Sequence, residues 1–180
     1  MIKDLTAYLA RHSISPSLST LSCLLAPESP AQVGLILTER FMNMPHEIVP
    51  PMYTMLQEEI QWALDEKEPY AFTHYLVLSK TYVEVESNLS AAEQPPSKKK
   101  KGSKNDNKET FYFHPEDEVL HKHAVGYDSF EFETPADEGA SDSKRAFQEL
   151  GVQPMGHMIL IDGNKFTEAV DSVKSFLGGQ

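Results

Sequence analysis

The sequence predicts an α/β fold with a mixed sheet flanked by helices. Three observations carry that expectation. Short apolar runs rich in β-branched and aromatic residues stand at 31–37, 70–86 and 156–163, too brief or too β-branched for helices. Apolar residues recur at helical spacing from Pro51 and again from Asn164. A polar, Lys-rich stretch at 90–108 separates two strand-like segments, which marks an antiparallel pair inside an otherwise alternating order of strands and helices.

In chain order, Ile2, Leu5 and Leu9 give a helical opening to about His12, and the Ser- and Pro-containing run "SISPSLSTLS" breaks it. "AQVGLIL", Ala31 to Leu37, reads as an interior strand. In "MPHEIVPPMY", Pro50 disfavours helix at Val49, while Pro51 suits a first helical position, where a missing N–H costs nothing. Met52, Leu56, Ile60 and Ala63 then form one expected buried stripe on a helix ending near Glu68 and Pro69. Tyr70 to Glu86 is a long strand, bent or bulged, and "ETFYFH", Glu109 to His114, is its antiparallel partner. The excursion between them lacks the apolar residues to pack a core and is expected to be flexible. A short helix follows in "PEDEVLHKHA", a strand in "DSFEFET" with Phe130 and Phe132 on one face, and a helix in "SDSKRAFQELG". Ser141 or Ser143 would cap that helix and Gly151 would end it. "GHMILIDG" is a further buried strand. Asn164 would cap a last helix whose apolar face is Phe166, Ala169, Val170, Val173 and Leu177.

At 180 residues the chain suits a single domain over 1–180, able to bury roughly two thirds of its unfolded surface. Ordinary apolar and charged fractions, the lack of a long apolar run and a lone Cys23 set the expectation of a soluble protein in a reducing compartment, not a membrane one. Net charge is −11, unevenly spread: Ser97 to Lys108 holds six lysines and one aspartate, a net of +5 that leaves −16 for the rest. Such a body repels nucleic acid and anionic lipid and attracts basic partners.

Catalytic and cofactor signatures are weak. Asp117 and His121 lie at i, i+4 and could share a metal ligand, whereas His121 and His123 would point to opposite sides of a helix; an acidic helix start favoured by the macrodipole is the stronger reading. "PHE" at Pro45 to Glu47 lacks the second histidine of a zincin. Cys23 has no neighbouring base or cation to activate it and reads as a buried thiol. No Gly-x-Ser-x-Gly elbow, P-loop or Gly-x-Gly-x-x-Gly turn occurs, so no cofactor is expected. Lys98, Lys99, Lys100 and Lys101 admit three readings: a solvated linker, a nuclear import signal, or a phosphate-contacting patch. No aromatics interleave them to stack bases, which argues against nucleic acid. From Glu109 to Asp142 ten acidic residues face one lysine. That stretch is a solvated acidic surface or a site for a strongly basic client, with Glu116, Asp117, Glu118, Asp137, Glu138 and Asp142 as its candidate residues.

Three stretches, "SPAQVGLILTERFMNMPHEIVPPMYTMLQEEIQWA", "ETFYFHPEDEVLHKHA" and "DEGASDSKRAFQELGVQPMGHMILI", resemble the BCCIP family of nuclear proteins, whose fungal member is the Bcp-type ribosomal-protein chaperone. The resemblance runs from about Leu24 to Leu177. It implies a fold similar to the GNAT acetyltransferases but without their pyrophosphate-gripping Gln/Arg-x-x-Gly-x-Gly/Ala turn, and hence a non-enzymatic protein; fold alone never carries catalysis. It further implies a nuclear chaperone and adaptor for a basic ribosomal protein of the large subunit. Nuclear transport receptors, a phosphoinositide kinase, and cell-cycle or DNA-repair proteins are the implied further partners. An acyltransferase with an altered acyl-CoA site is the alternative. Family members normally carry an acidic stretch and a further α/β portion ahead of the position where this chain starts. The resemblance therefore implies an N-terminally shortened member lacking strands on one side of its sheet.

Overall fold

The structure, a computed structural model, describes residues 29–40, 43–84, 110–131 and 151–178, together with residue 24. Among them are five strands and three helices, in the order β1 (Val33–Leu37), α1 (Val49–Asp65), β2 (His74–Glu84), β3 (Thr110–Tyr112), α2 (Pro115–Lys122), β4 (Gly126–Glu131), β5 (Val152–Asp162) and α3 (Gly163–Gly178), with a 3-10 turn at His46–Ile48. The sheet is mixed, as expected. Its strand order is β1-β2-β5-β4, and β3 pairs with β2 off that path. β1 runs parallel to β2 in the register Val33↔His74 to Leu37↔Leu78, while β3 runs antiparallel to β2 with Tyr82 opposite Phe111.

The described residues fall into two compact units. The first contains residues up to Ser79, His114–Asp128 and the chain from His157; the second contains Lys80–Phe113 and Ser129–Gly156. In the first unit, Tyr75, Val77, Ile159 and Ile161 of the sheet meet Phe166, Ala169, Val170, Val173 and Leu177 of α3, with Val49, Tyr53, Val119 and Leu120 closing the core from α1 and α2. Each buried Val, Leu, Ile or Phe among them contributes about 1.5–3 kcal/mol by leaving water. The Tyr75 and Phe166 rings stack with centroids 3.9 Å apart. Leu76, Met158 and Leu160, which point the other way along the same strands, are also buried. That explains why β2 and β5 read as continuous apolar runs instead of alternating ones. In the second unit the Tyr82 and Phe111 rings stack at 5.2 Å, and Phe113 meets Tyr82 edge-on at 5.1 Å.

Several local expectations are corrected. α1 starts at Val49 even though Pro50 follows it, because the 3-10 turn already holds Val49 at φ −66°, ψ −48°. The buried stripe of α1 is Val49, Tyr53, Leu56 and Ile60, not one through Met52, whose side chain is 60% exposed. The helix stops at Asp65, before Glu68. Lys67 sits at φ 63°, its N–H donating to the Leu64 carbonyl while the Glu68 N–H donates to the Ala63 carbonyl. This is a Schellman stop with lysine where glycine is usual, at a cost of about 1–2 kcal/mol. α3 is capped by Asp162, whose Oδ1 accepts the Asn164 N–H at 2.8 Å; Asn164 lies inside the helix. That bond holds the Asp162 carboxyl below its usual pKa. β5 begins at Val152, four residues before the Gly156 start expected from the sequence. Gly151 takes φ 70°, the conformation of a helix-ending glycine. The helix expected before it, the opening helix to His12, Cys23, Phe132 and the Lys-rich 90–108 stretch all lie outside the described residues.

Candidate functional site

α2 opens with Pro115 at a first-turn position and three acids behind it, Glu116, Asp117 and Glu118, as the macrodipole favours. The helix nonetheless turns two of the three inward. Glu116 is 2% exposed and Asp117 is 0% exposed, whereas Glu118 faces solvent and pairs with Lys122 at 3.2 Å. A buried charge persists only when paired or hydrogen-bonded. Glu116 meets this condition through Arg40, whose two terminal nitrogens each face one carboxylate oxygen, the outer contact being 3.3 Å.

Asp117 meets it only in part. Its Oδ2 accepts from Ser79 Oγ at 2.7 Å and lies 3.0 Å from Thr38 Oγ1. The same Thr38 hydroxyl stands 3.1 Å from the Leu78 carbonyl oxygen, so one proton has two claimants. Asp117 Oδ1 has no hydrogen-bond partner among the described residues. Burial therefore pushes the Asp117 carboxyl up to about 6, against the Ser79 and Thr38 hydrogen bonds and the Arg40 charge. Burial also raises the Tyr53 phenol above its usual range, with the Asp117 charge adding to the effect.

β1 and α1 enclose two apolar grooves that meet at Ile36 and Leu56. One, of about 610 Å³, ends at Thr38, Arg40 and Glu116 and is walled by Met44, Met52 and Tyr53. The other, of about 810 Å³, runs past Leu35, Trp62, Tyr70 and Phe72, with Glu59, Glu66 and Glu68 at its rim. Trp62 is 68% exposed. At the C-terminal end of α2, His121 Nδ1 and His157 Nε2 are 2.9 Å apart and the Tyr127 ring lies 4.2 Å from that of His121. Burial lowers both imidazoles, His157 to about 4, so the pair stays neutral at physiological pH, one nitrogen donating to the other.

Of the expected client-binding acids, Glu116 and Asp117 are not on the surface, because each is consumed by interior partners. Glu118 is accessible, and Asp137, Glu138 and Asp142 lie outside the described residues, as do Lys98, Lys99, Lys100 and Lys101. Asp117 and His121 do not come together: one serves Ser79 and Thr38, the other His157. Among the described residues no three His, Cys, Asp or Glu side chains are grouped to hold a metal, and no helix is long and apolar enough to cross a membrane. Thr38, Arg40, Ser79 and Tyr53 escaped sequence reasoning. The hydrogen-bond partners of Thr38, Arg40 and Ser79 lie 38 to 79 residues away in the chain, a separation that no local spacing rule reaches.

These features define an acidic mixed α/β domain whose described residues line two apolar grooves between β1 and α1. The chain belongs to the BCCIP family, whose model matches residues 1–120. It is 54% identical over 180 residues to Protein bcp1 of Emericella nidulans and 56% identical over 178 residues to Protein bcp1 of Aspergillus fumigatus, covering 99% and 98% of this chain and 62% and 61% of theirs. Protein bcp1 of Schizosaccharomyces pombe is 43% identical over 173 residues, covering 94% of this chain and 61% of its own. The chain thus spans about three fifths of the length of the curated relatives it matches. Among solved structures, the crystal structure of BCP1 from Saccharomyces cerevisiae is similar in fold, with TM-score 0.54 at 22% identity over 94% of this chain and 55% of that one.

Proposed function

We propose that the chain is the acidic body of a non-catalytic nuclear chaperone and adaptor, with a GNAT-like arrangement of sheet and helices. It binds a basic ribosomal protein of the large subunit and supports ribosome biogenesis and nuclear export of client proteins. The observation that carries this reading is electrostatic: outside the Lys-rich run the chain bears a net charge of −16. A client evolved to grip RNA phosphates exposes a basic surface, and a complementary field both speeds encounter and shields that surface from wrong partners. Family membership supports the same reading. Nuclear transport receptors are the adaptor's further partners, with a phosphoinositide kinase or cell-cycle and DNA-repair proteins as additional cargo.

A pull-down from nuclear extract tests it. A basic ribosomal protein should be retained at low salt and released as ionic strength rises, since exposed charges are screened within roughly 8 Å at physiological salt. Charge reversal at Glu118 together with Asp137, Glu138 and Asp142 should weaken retention. Capture that ignores both salt and charge reversal would refute the electrostatic client reading.

Lys98 to Lys101 serve this function as the import signal. Alanine at all four positions should leave a tagged protein in the cytoplasm; continued nuclear accumulation sinks that assignment.

A further inference from the structure

α2 is a short helix held at both ends by polar contacts. At its N-terminal end Glu116 meets Arg40, and Asp117 meets Ser79 and Thr38. At its C-terminal end the fastening is imidazole on imidazole. His121 Nδ1 faces His157 Nε2 of β5 at 2.9 Å, and just beyond the helix His123 Nε2 lies 3.0 Å from Ser172 Oγ of α3. The His121 and His157 ring planes are 26° apart with centroids at 5.1 Å, close to the full span of two rings set end to end across that contact. The facing nitrogens therefore meet head-on. Their lone pairs share no common point at which a metal could sit, and the gap accommodates one proton. With both rings neutral, or only one protonated, one facing nitrogen donates and the other accepts. With both protonated, two N–H groups oppose each other and two like charges stand in contact.

We propose that the His121–His157 contact is a proton-operated latch on the C-terminal end of α2, closed while one imidazole stays neutral and opened when both are cationic. Burial opposes charge on both rings, and the charge on His121 opposes a second on His157. Glu118 of α2 and Asp128 of β4 favour protonation, with Glu118 itself offset by Lys122 at 3.2 Å. The Tyr127 ring of β4 lies 4.2 Å from that of His121, and α3 meets this end of the helix through the uncharged Ser172. An imidazole held below its usual 6.5 stabilises the fold in full above that value, and its contribution is lost as pH falls towards the folded value, about 4 for His157. Asp117 moves the other way. Acid gives it the proton that its burial favours, so the N-terminal end of α2 stays shut while the C-terminal end opens.

Imidazole nitrogen NMR on the full chain, from neutral pH down to about 4, tests the latch. His121 and His157 should titrate in two separate steps, both below the usual 6.5. The His123 and Ala124 amides donate to the Leu120 and His121 carbonyls, and the Asp117 amide donates to the His114 carbonyl. Through the second step the first two should exchange about tenfold faster, once the intrinsic pH dependence is removed, while the Asp117 amide keeps its protection. His157→Gln leaves His121 Nδ1 a partner that cannot become cationic and should abolish the acceleration; His123→Gln, which spares the pair, should retain it. Two rings titrating together at 6.5 overturn the proposal, as does exchange at His123 and Ala124 that is unchanged through the second step. Loss of Asp117 protection in the same step overturns it too, since the whole domain then unfolds and not one end of α2. If His157→Gln does not fold, the unmodified chain and His123→Gln decide between them: an acid response absent from His123→Gln belongs to the Ser172 contact, and the latch is refuted.

Discussion

Replacing Arg40 with methionine is expected to cost the fold about 3–5 kcal/mol, the range for removing one partner of a buried ion pair. The Glu116 carboxylate is 2% exposed and both its oxygens face the Arg40 guanidinium, so the substitution strands a charge that water cannot reach. Methionine preserves most of the apolar stem, which isolates loss of charge from loss of packing. Adding Glu116→Gln to Arg40→Met should recover a large part of the loss, because the neutral amide no longer needs a counter-charge. A double-mutant cycle by urea unfolding measures this directly. Additive single-variant effects, with no coupling between the two positions, would mean the pair does not act as described.

Asp117→Asn is expected to have the opposite sign at neutral pH. The folded carboxyl titrates at about 6 and the unfolded one at its usual 3.8. Between those values the native state holds a proton that the unfolded chain has released, so stability falls as pH rises through the window and levels off above it. The difference amounts to about 3 kcal/mol at neutral pH. Asparagine with its amide oxygen in the place of Oδ2 keeps the acceptor for Ser79 Oγ and Thr38 Oγ1 and carries no charge to desolvate. The variant should therefore exceed the wild type in stability at pH 7 and match it near pH 4. Other carboxylates titrate over the same range, so the informative quantity is the difference between the two proteins at each pH. A difference that does not change between those two pH values would show that Asp117 does not titrate anomalously.

The contrast between α3 and α1 shows how much of the fold was legible. The apolar face of α3 was readable residue by residue because its neighbours repeat every three or four positions and all five are buried. α1 was misread by one position: Met52 is as apolar as Tyr53, and only the sheet beneath decides which of the two turns inward. β2 and β3 were recognisable as an antiparallel pair from composition and spacing, whereas the parallel pairing of β1 with β2 spans 41 positions at every register pair. The acidic start of α2 was visible as a run of charge, but burial divided it. Glu118 stays in water, while Glu116 and Asp117 turn into the interior towards groups from β2 and the segment after β1.

By itself, the sequence determined the class of fold, the family, the acidic balance that favours a basic partner, and the positions of most elements, because charge and local periodicity are properties of neighbouring residues. Only the tertiary structure decided which acids are structural and how β1 pairs with β2. Both depend on contacts between residues distant in the chain, where desolvation and an arginine reached across 76 positions outweigh any preference written locally.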